Sequence, residues 1–97
     1  MTESLKILLL EDNPEDAEIV QRQLKRANFK CVVKVATNKE TYLQALDEFN
    51  PAIILSDNHL PQFSAEEALI IIQRRSLLIP FILYILYISF NPPYKLP

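Results

Sequence analysis

Ala52-Ile53-Ile54-Leu55-Ser56-Asp57, closed by Asn58-His59-Leu60-Pro61, is the stretch on which the fold of this 97-residue chain turns. Its apolar run has no polar alternation, so it reads as a strand buried on both faces. The run stops at a carboxylate, and Pro61 forbids any continuation of the ladder shortly after. Open α/β sheets place their ligands at the carboxyl ends of such strands. Asp57 therefore stands at a ligand-binding position, although aspartate is equally common there as a plain turn cap.

Toward the N-terminus, Lys6-Ile7-Leu8-Leu9-Leu10 is a second short apolar strand, and it too ends in acids, Glu11 and Asp12. Asn13-Pro14 marks a turn into a helix, with Pro14 suited to its first position and Glu15 and Asp16 to its first turn. From Pro14 to about Asn28, helical spacing puts Ala17, Val20, Leu24 and Ala27 on one face. Cys31 to Ala36 is β-branched and apolar save for Lys34, the pattern of a strand at or near a sheet edge. Thr37-Asn38-Lys39-Glu40 has capping-box spacing and predicts a second helix carrying Tyr42, Leu43, Ala45, Leu46 and Phe49, ended by Asn50-Pro51. Beyond the central strand, Ser64-Ala65-Glu66-Glu67 repeats that spacing and predicts a third helix, with Ala68, Leu69, Ile71 and Ile72 inward. The order β-α-β-α-β-α, followed by an apolar stretch from Leu77, predicts a doubly wound parallel sheet with helices on both faces.

Composition narrows the chemistry. The chain has no glycine, so no phosphate-cradling glycine loop, dinucleotide fingerprint or nucleophile elbow can be written in it. One histidine, His59, and one cysteine, Cys31, exclude zinc sites built from several such ligands. Cys31 cannot pair internally and reads as a buried, reduced thiol of a cytoplasmic protein. A formal net charge of −2, without any stripe of Lys and Arg, gives bulk nucleic-acid binding no support. Glu3 and a single Lys before a short apolar run do not make a signal peptide. Carboxylates are the remaining resource.

In a doubly wound sheet the first and third strands can be neighbours, which would gather Glu11, Asp12 and Asp57 at one edge. Three carboxylates so placed repel one another unless they share a cation. Oxygen-only donors at an open, hydrated site suit Mg²⁺, and a carboxylate there can act as a nucleophile toward phosphorus.

These residues resemble a family, the receiver domain of two-component response regulators, over about residues 5 to 83. Lys6-Ile-Leu-Leu-Leu-Glu-Asp-Asn is similar to the family's first strand and acidic pair, with Glu11 in place of the commoner aspartate. Leu55-Ser56-Asp57 followed by Leu60-Pro61 is similar to its phosphoacceptor strand and loop, and Asp57 to Phe63 looks most like receivers attached to sensory histidine kinases and their PAS modules. The resemblance implies a flavodoxin-like sheet of strand order 2-1-3-4. It implies phosphoryl transfer from a sensor histidine kinase or phosphotransfer protein to Asp57, and no enzyme beyond that self-phosphorylation. It also implies Mg²⁺ held directly by Asp12 and Asp57, by Glu11 through water, and by the backbone carbonyl of His59.

The match fails after Ile79-Pro80-Phe81-Ile82-Leu83, which resembles the fourth strand. The family has a serine or threonine two residues beyond Leu83, where this chain has Ile85, and Lys95 is not equivalent to the family's fifth-strand lysine. The expected organisation is a partial receiver over 1–83, lacking the last strand and last two helices, with an atypical apolar, Pro-ended tail over 84–97. A reading-frame change or truncation would account for it. Leu77 to Phe90 is too short for a membrane span, which needs ~20 apolar residues. Two rival functions are a degenerate receiver that binds proteins without phosphotransfer, and a Mg²⁺-dependent phosphohydrolase with Asp57 as nucleophile and His59 as acid.

Overall fold

The computed structural model describes residues 4–58 and 60–84. Four parallel strands, β1 (Leu5–Leu10), β2 (Cys31–Ala36), β3 (Ile53–Asp57) and β4 (Phe81–Tyr84), form one sheet in the order β2-β1-β3-β4. Three helices, α1 (Pro14–Arg26), α2 (Lys39–Glu48) and α3 (Ala65–Arg74), make the crossovers. The fold is flavodoxin-like, and its last strand and last two helices are not among the described residues. Residues 85–97, which include Ile85, Lys95 and nearly all of the expected tail, lie outside the description, as does His59. Tyr84 does not belong to that tail: it is the last residue of β4.

The chain runs from β1 outward to β2, then back across to β3 and β4. Right-handed crossovers therefore put α1 on one face of the sheet and α2 and α3 on the other. Alternate residues of β1 serve the two faces. Leu8 and Leu10 join Ala36, Ile54, Tyr42, Ala45, Leu46, Phe63, Ala68 and Ile72 in the core beneath α2 and α3. Ile7 and Leu9 are buried on the opposite face, where α1 contributes Ala17. Only one face of β3 is fully buried: Ile54 and Ser56 are covered, while Ile53, Leu55 and Asp57 stay half-exposed. Cys31 is likewise half-buried, because β2 is an edge strand.

Caps differ in detail from the sequence reading. The N-cap of α2 is Asn38, one residue later than Thr37, and the reciprocal partner is Thr41 instead of Glu40. The Asn38 side chain accepts from the Thr41 N–H at 2.8 Å, and Thr41 Oγ1 accepts from the backbone of Thr37 and Asn38. A short β-branched hydroxyl reaches both N–H groups, whereas Glu40 points to solvent. Ser64 caps α3 as expected, and Glu67 forms an ion pair with Lys39 of α2.

Each helix must end without glycine, and each does so with a non-glycine residue in the left-handed region: Asn28 (φ 62°), Asn50 (φ 51°) and Ser76 (φ 58°). After α3, Ser76 N–H donates to Gln73 and Leu77 N–H to Ile72, a Schellman closure that holds Ser76 there. Asparagine tolerates this conformation, but for serine it is strained by ~1–2 kcal/mol. Ser76→Gly is expected to raise stability by ~0.5–1 kcal/mol after glycine's own entropic penalty, as a rise in the urea midpoint at unchanged slope.

Tyr42 is fully buried and donates its hydroxyl to the Ala68 carbonyl at 2.8 Å, tying α2 to α3. Tyr42→Phe should lose ~1 kcal/mol by leaving that carbonyl without its donor. Burial pushes the Tyr42 phenol well above its ordinary value of 10.0. Below that value both folded and unfolded chains keep the proton. Above it only the unfolded chain ionises, so stability should fall with rising pH by up to ~1.4 kcal/mol per unit. Urea melts in alkaline buffer should show this slope shallower in Tyr42→Phe.

Candidate functional site: an acidic rim at the ends of β1 and β3

β1 and β3 are hydrogen-bonded neighbours with Leu10 opposite Ser56, so the residues that follow, Glu11 and Asp57, emerge side by side. Asp12 comes with Glu11. One carboxylate oxygen from each of Glu11, Asp12 and Asp57 lies within 4.8 Å of the others. The three acids predicted from sequence to converge are thus brought together. His59, expected to offer its main-chain carbonyl, lies outside the described residues.

The three differ in exposure, and this divides their chemistry. Glu11 is 1% exposed, Asp57 is half-buried and Asp12 is open to solvent. Glu11 owes its depth to the strand: its N–H donates to the Ala36 carbonyl, extending the β1–β2 ladder one residue past Leu10. Its Oε2 accepts from the Asn13 N–H at 3.1 Å. Asn13 in turn caps α1, its Oδ1 accepting from the N–H groups of Glu15 and Asp16. The acidic loop and the start of α1 are therefore one hydrogen-bonded unit.

On the β3 side, the segment after Asp57 is anchored at its far end. Phe63 is buried against Tyr42, ring centroids 5.3 Å apart, and Ser64 begins α3. Leu60 packs on the same core. A cavity of about 180 Å³ lies here, lined by Leu10, Asp12, Thr37 and residues 60–63. The larger cavity of about 680 Å³, between α1 and the outer edge of β2, holds none of the three acids.

Tyr84 is the site residue that sequence reading missed. It is the register partner of Asp57 across β3–β4, and its hydroxyl donates to Glu11 Oε1 at 2.5 Å. Its side chain thus bridges from β4 to the end of β1, past the strand between them. The signal was there in principle, since a parallel register puts the last residue of β4 beside the last residue of β3. No motif marks it.

Burial raises the Glu11 carboxyl above its ordinary value; the Tyr84 and Asn13 donors oppose this, and the charges of Asp57 and Asp16 add to it. Burial also raises the Tyr84 phenol, as does its bond to Glu11. Three clustered carboxylates, all oxygen donors and one of them solvent-open, fit a hard divalent cation that keeps part of its water, of which Mg²⁺ is the type case.

No family model matches the chain. It is 34% identical over 70 residues to hybrid signal transduction histidine kinase C of Dictyostelium discoideum; the match takes in 72% of this chain but 6% of that protein. The bacteriophytochrome response regulator AtBRR superposes with a TM-score of 0.74 at 26% identity, over 95% of this chain and 74% of that one. The MaeR response regulator bound to beryllium trifluoride superposes at 0.76, over 90% of this chain and 71% of that one. At 18% identity it speaks for the fold alone. The sheet order, the acids at the ends of β1 and β3, and these similarities lead to one assignment: the chain belongs to the receiver-domain family of response regulators.

Proposed function

We propose that this receiver is the phosphoacceptor module of a cytoplasmic two-component phosphorelay, taking a phosphoryl group onto Asp57 from a sensor histidine kinase or phosphotransfer protein. The observation that carries this is the gathering of Glu11, Asp12 and Asp57 within 4.8 Å around the end of β3. The hybrid kinase relative supports a kinase or phosphotransfer partner in general.

Exposure argues against Glu11 as the nucleophile. Glu11 is too deep to meet a donor protein, and its two oxygens already accept hydrogen bonds. Asp57, half-buried at the strand end, is reachable. One of its carboxylate oxygens would bond to phosphorus as the nitrogen–phosphorus bond of the donor phosphohistidine breaks, the electron pair returning to the imidazole nitrogen. Asp12 and Asp57 would hold Mg²⁺ directly, Glu11 through water, and the main-chain carbonyl of His59 would complete the protein's donors. When bound, the ion supplies positive charge against the incoming phosphoryl oxygens. With Ile85 where the family has its hydroxyl, phosphorylation here is expected to be read out poorly.

Incubation with a small phosphodonor and Mg²⁺ is expected to add one phosphoryl group by intact mass, removed by hydroxylamine as an acyl phosphate should be, and absent in Asp57→Asn. No incorporation in the unsubstituted chain would favour a binding module without phosphotransfer. Steady hydrolysis of a phosphate ester would favour the phosphohydrolase.

The metal reading has its own signature in stability. Between the ordinary Glu value of 4.5 and the raised Glu11 value, the folded chain keeps a proton that the unfolded chain has lost. Metal-free stability should therefore fall as pH rises through that window, then level off. Saturating Mg²⁺ favours the ionised carboxylates and should abolish the fall. At a hundredfold excess over Kd, the ion should add ~2.7 kcal/mol at neutral pH, and EDTA should reverse it. A pH series of urea melts with and without Mg²⁺ checks both.

A further inference from the structure

We propose that Tyr84 is the positioning residue of this rim: its hydroxyl sets the orientation of Glu11 and thereby the affinity of the three acids for a divalent cation. This rests on the Mg²⁺ reading above and extends it to a residue outside the acidic cluster.

The geometry has three parts. Tyr84 lies opposite Asp57 in the β3–β4 register, and its carbonyl accepts the Asn58 N–H at 3.2 Å, so its main chain is tied to the first residue after the proposed nucleophile. Its hydroxyl spans to Glu11 Oε1, on the strand beyond. The other oxygen, Oε2, is held by the Asn13 N–H. Each carboxylate oxygen accepts at two lone-pair sites, so two donors fix the plane of the group and leave one site on each oxygen. A buried carboxylate held in this way keeps one orientation, so the lone pairs it has left are fixed in direction for an ion or its water. Without the Tyr84 donor, Oε1 would be buried with one fewer partner, and the group would turn to find another. Groups that orient a ligand from outside the coordination shell typically govern metal affinity by 10–100-fold.

Tyr84→Phe removes one oxygen atom and keeps the ring. By calorimetry it is expected to bind Mg²⁺ about tenfold more weakly than the unsubstituted chain. A second readout would not respond to a merely structural role. The chain has no tryptophan, so tyrosine dominates its near-ultraviolet absorbance, and Mg²⁺ should produce a phenol difference spectrum through the Glu11 bond. That spectrum should vanish in Tyr84→Phe, and also in Glu11→Gln, which retains Tyr84. Equal affinity and an unchanged difference spectrum in Tyr84→Phe would overturn the positioning role and leave the metal reading standing. Persistence of the spectrum in Glu11→Gln would overturn it equally. Absence of Mg²⁺ binding by the unsubstituted chain would overturn the metal reading itself, and the role of Tyr84 with it.

Discussion

Parallel pairing of β1 with β3, Leu10 against Ser56, is the constraint from which the chemistry of this domain follows. β1 is paired on both sides and buried on both faces from Ile7 to Leu10. Its ladder therefore extends to Glu11, and a carboxylate is drawn into the protein at the strand end. The same pairing delivers Asp57 alongside it. Hydrophobic burial drives the strands together, and the like charges that result stand at the rim, where Asp12 is open to solvent and Glu11 accepts from Asn13 and Tyr84.

The loops that carry the acids are held by small, local devices. Asn13 both caps α1 and donates its backbone to Glu11, so the helix cannot start elsewhere without releasing the acid. Phe63, packed on Tyr42, anchors the segment leaving Asp57, and Tyr42 itself joins α2 to α3 through Ala68. Positions on one side of the rim thus depend on the α2–α3 core, and positions on the other on α1. A divalent ion between them would link the two halves.

Among the described residues β4 is the outer member of the sheet, and Ile82 and Leu83 are 45% and 52% exposed. An outer strand of this kind is a template for further pairing. Its inner edge is nonetheless essential to the site, because registry with β3 brings Tyr84 over the acids. Tyr84 is at once the end of a strand and a hydrogen-bond donor to the deepest carboxylate, a combination that the linear pattern of apolar residues does not reveal.

Strand and helix order, the parallel doubly wound topology and the convergence of Glu11, Asp12 and Asp57 at one rim were all legible in the residues. Short apolar runs ending in acids, alternating with capped amphipathic segments, admit few other arrangements. What the linear pattern could not decide was which of two adjacent hydroxyl or amide side chains caps α2, how deep each acid sits, that Cys31 is half-open instead of buried, and that Tyr84 reaches Glu11. Those outcomes depend on distances between residues far apart in the chain. Local propensity sees only neighbours, whereas Glu11 and Tyr84, 73 positions apart in the chain, are brought together by the packing of the sheet alone.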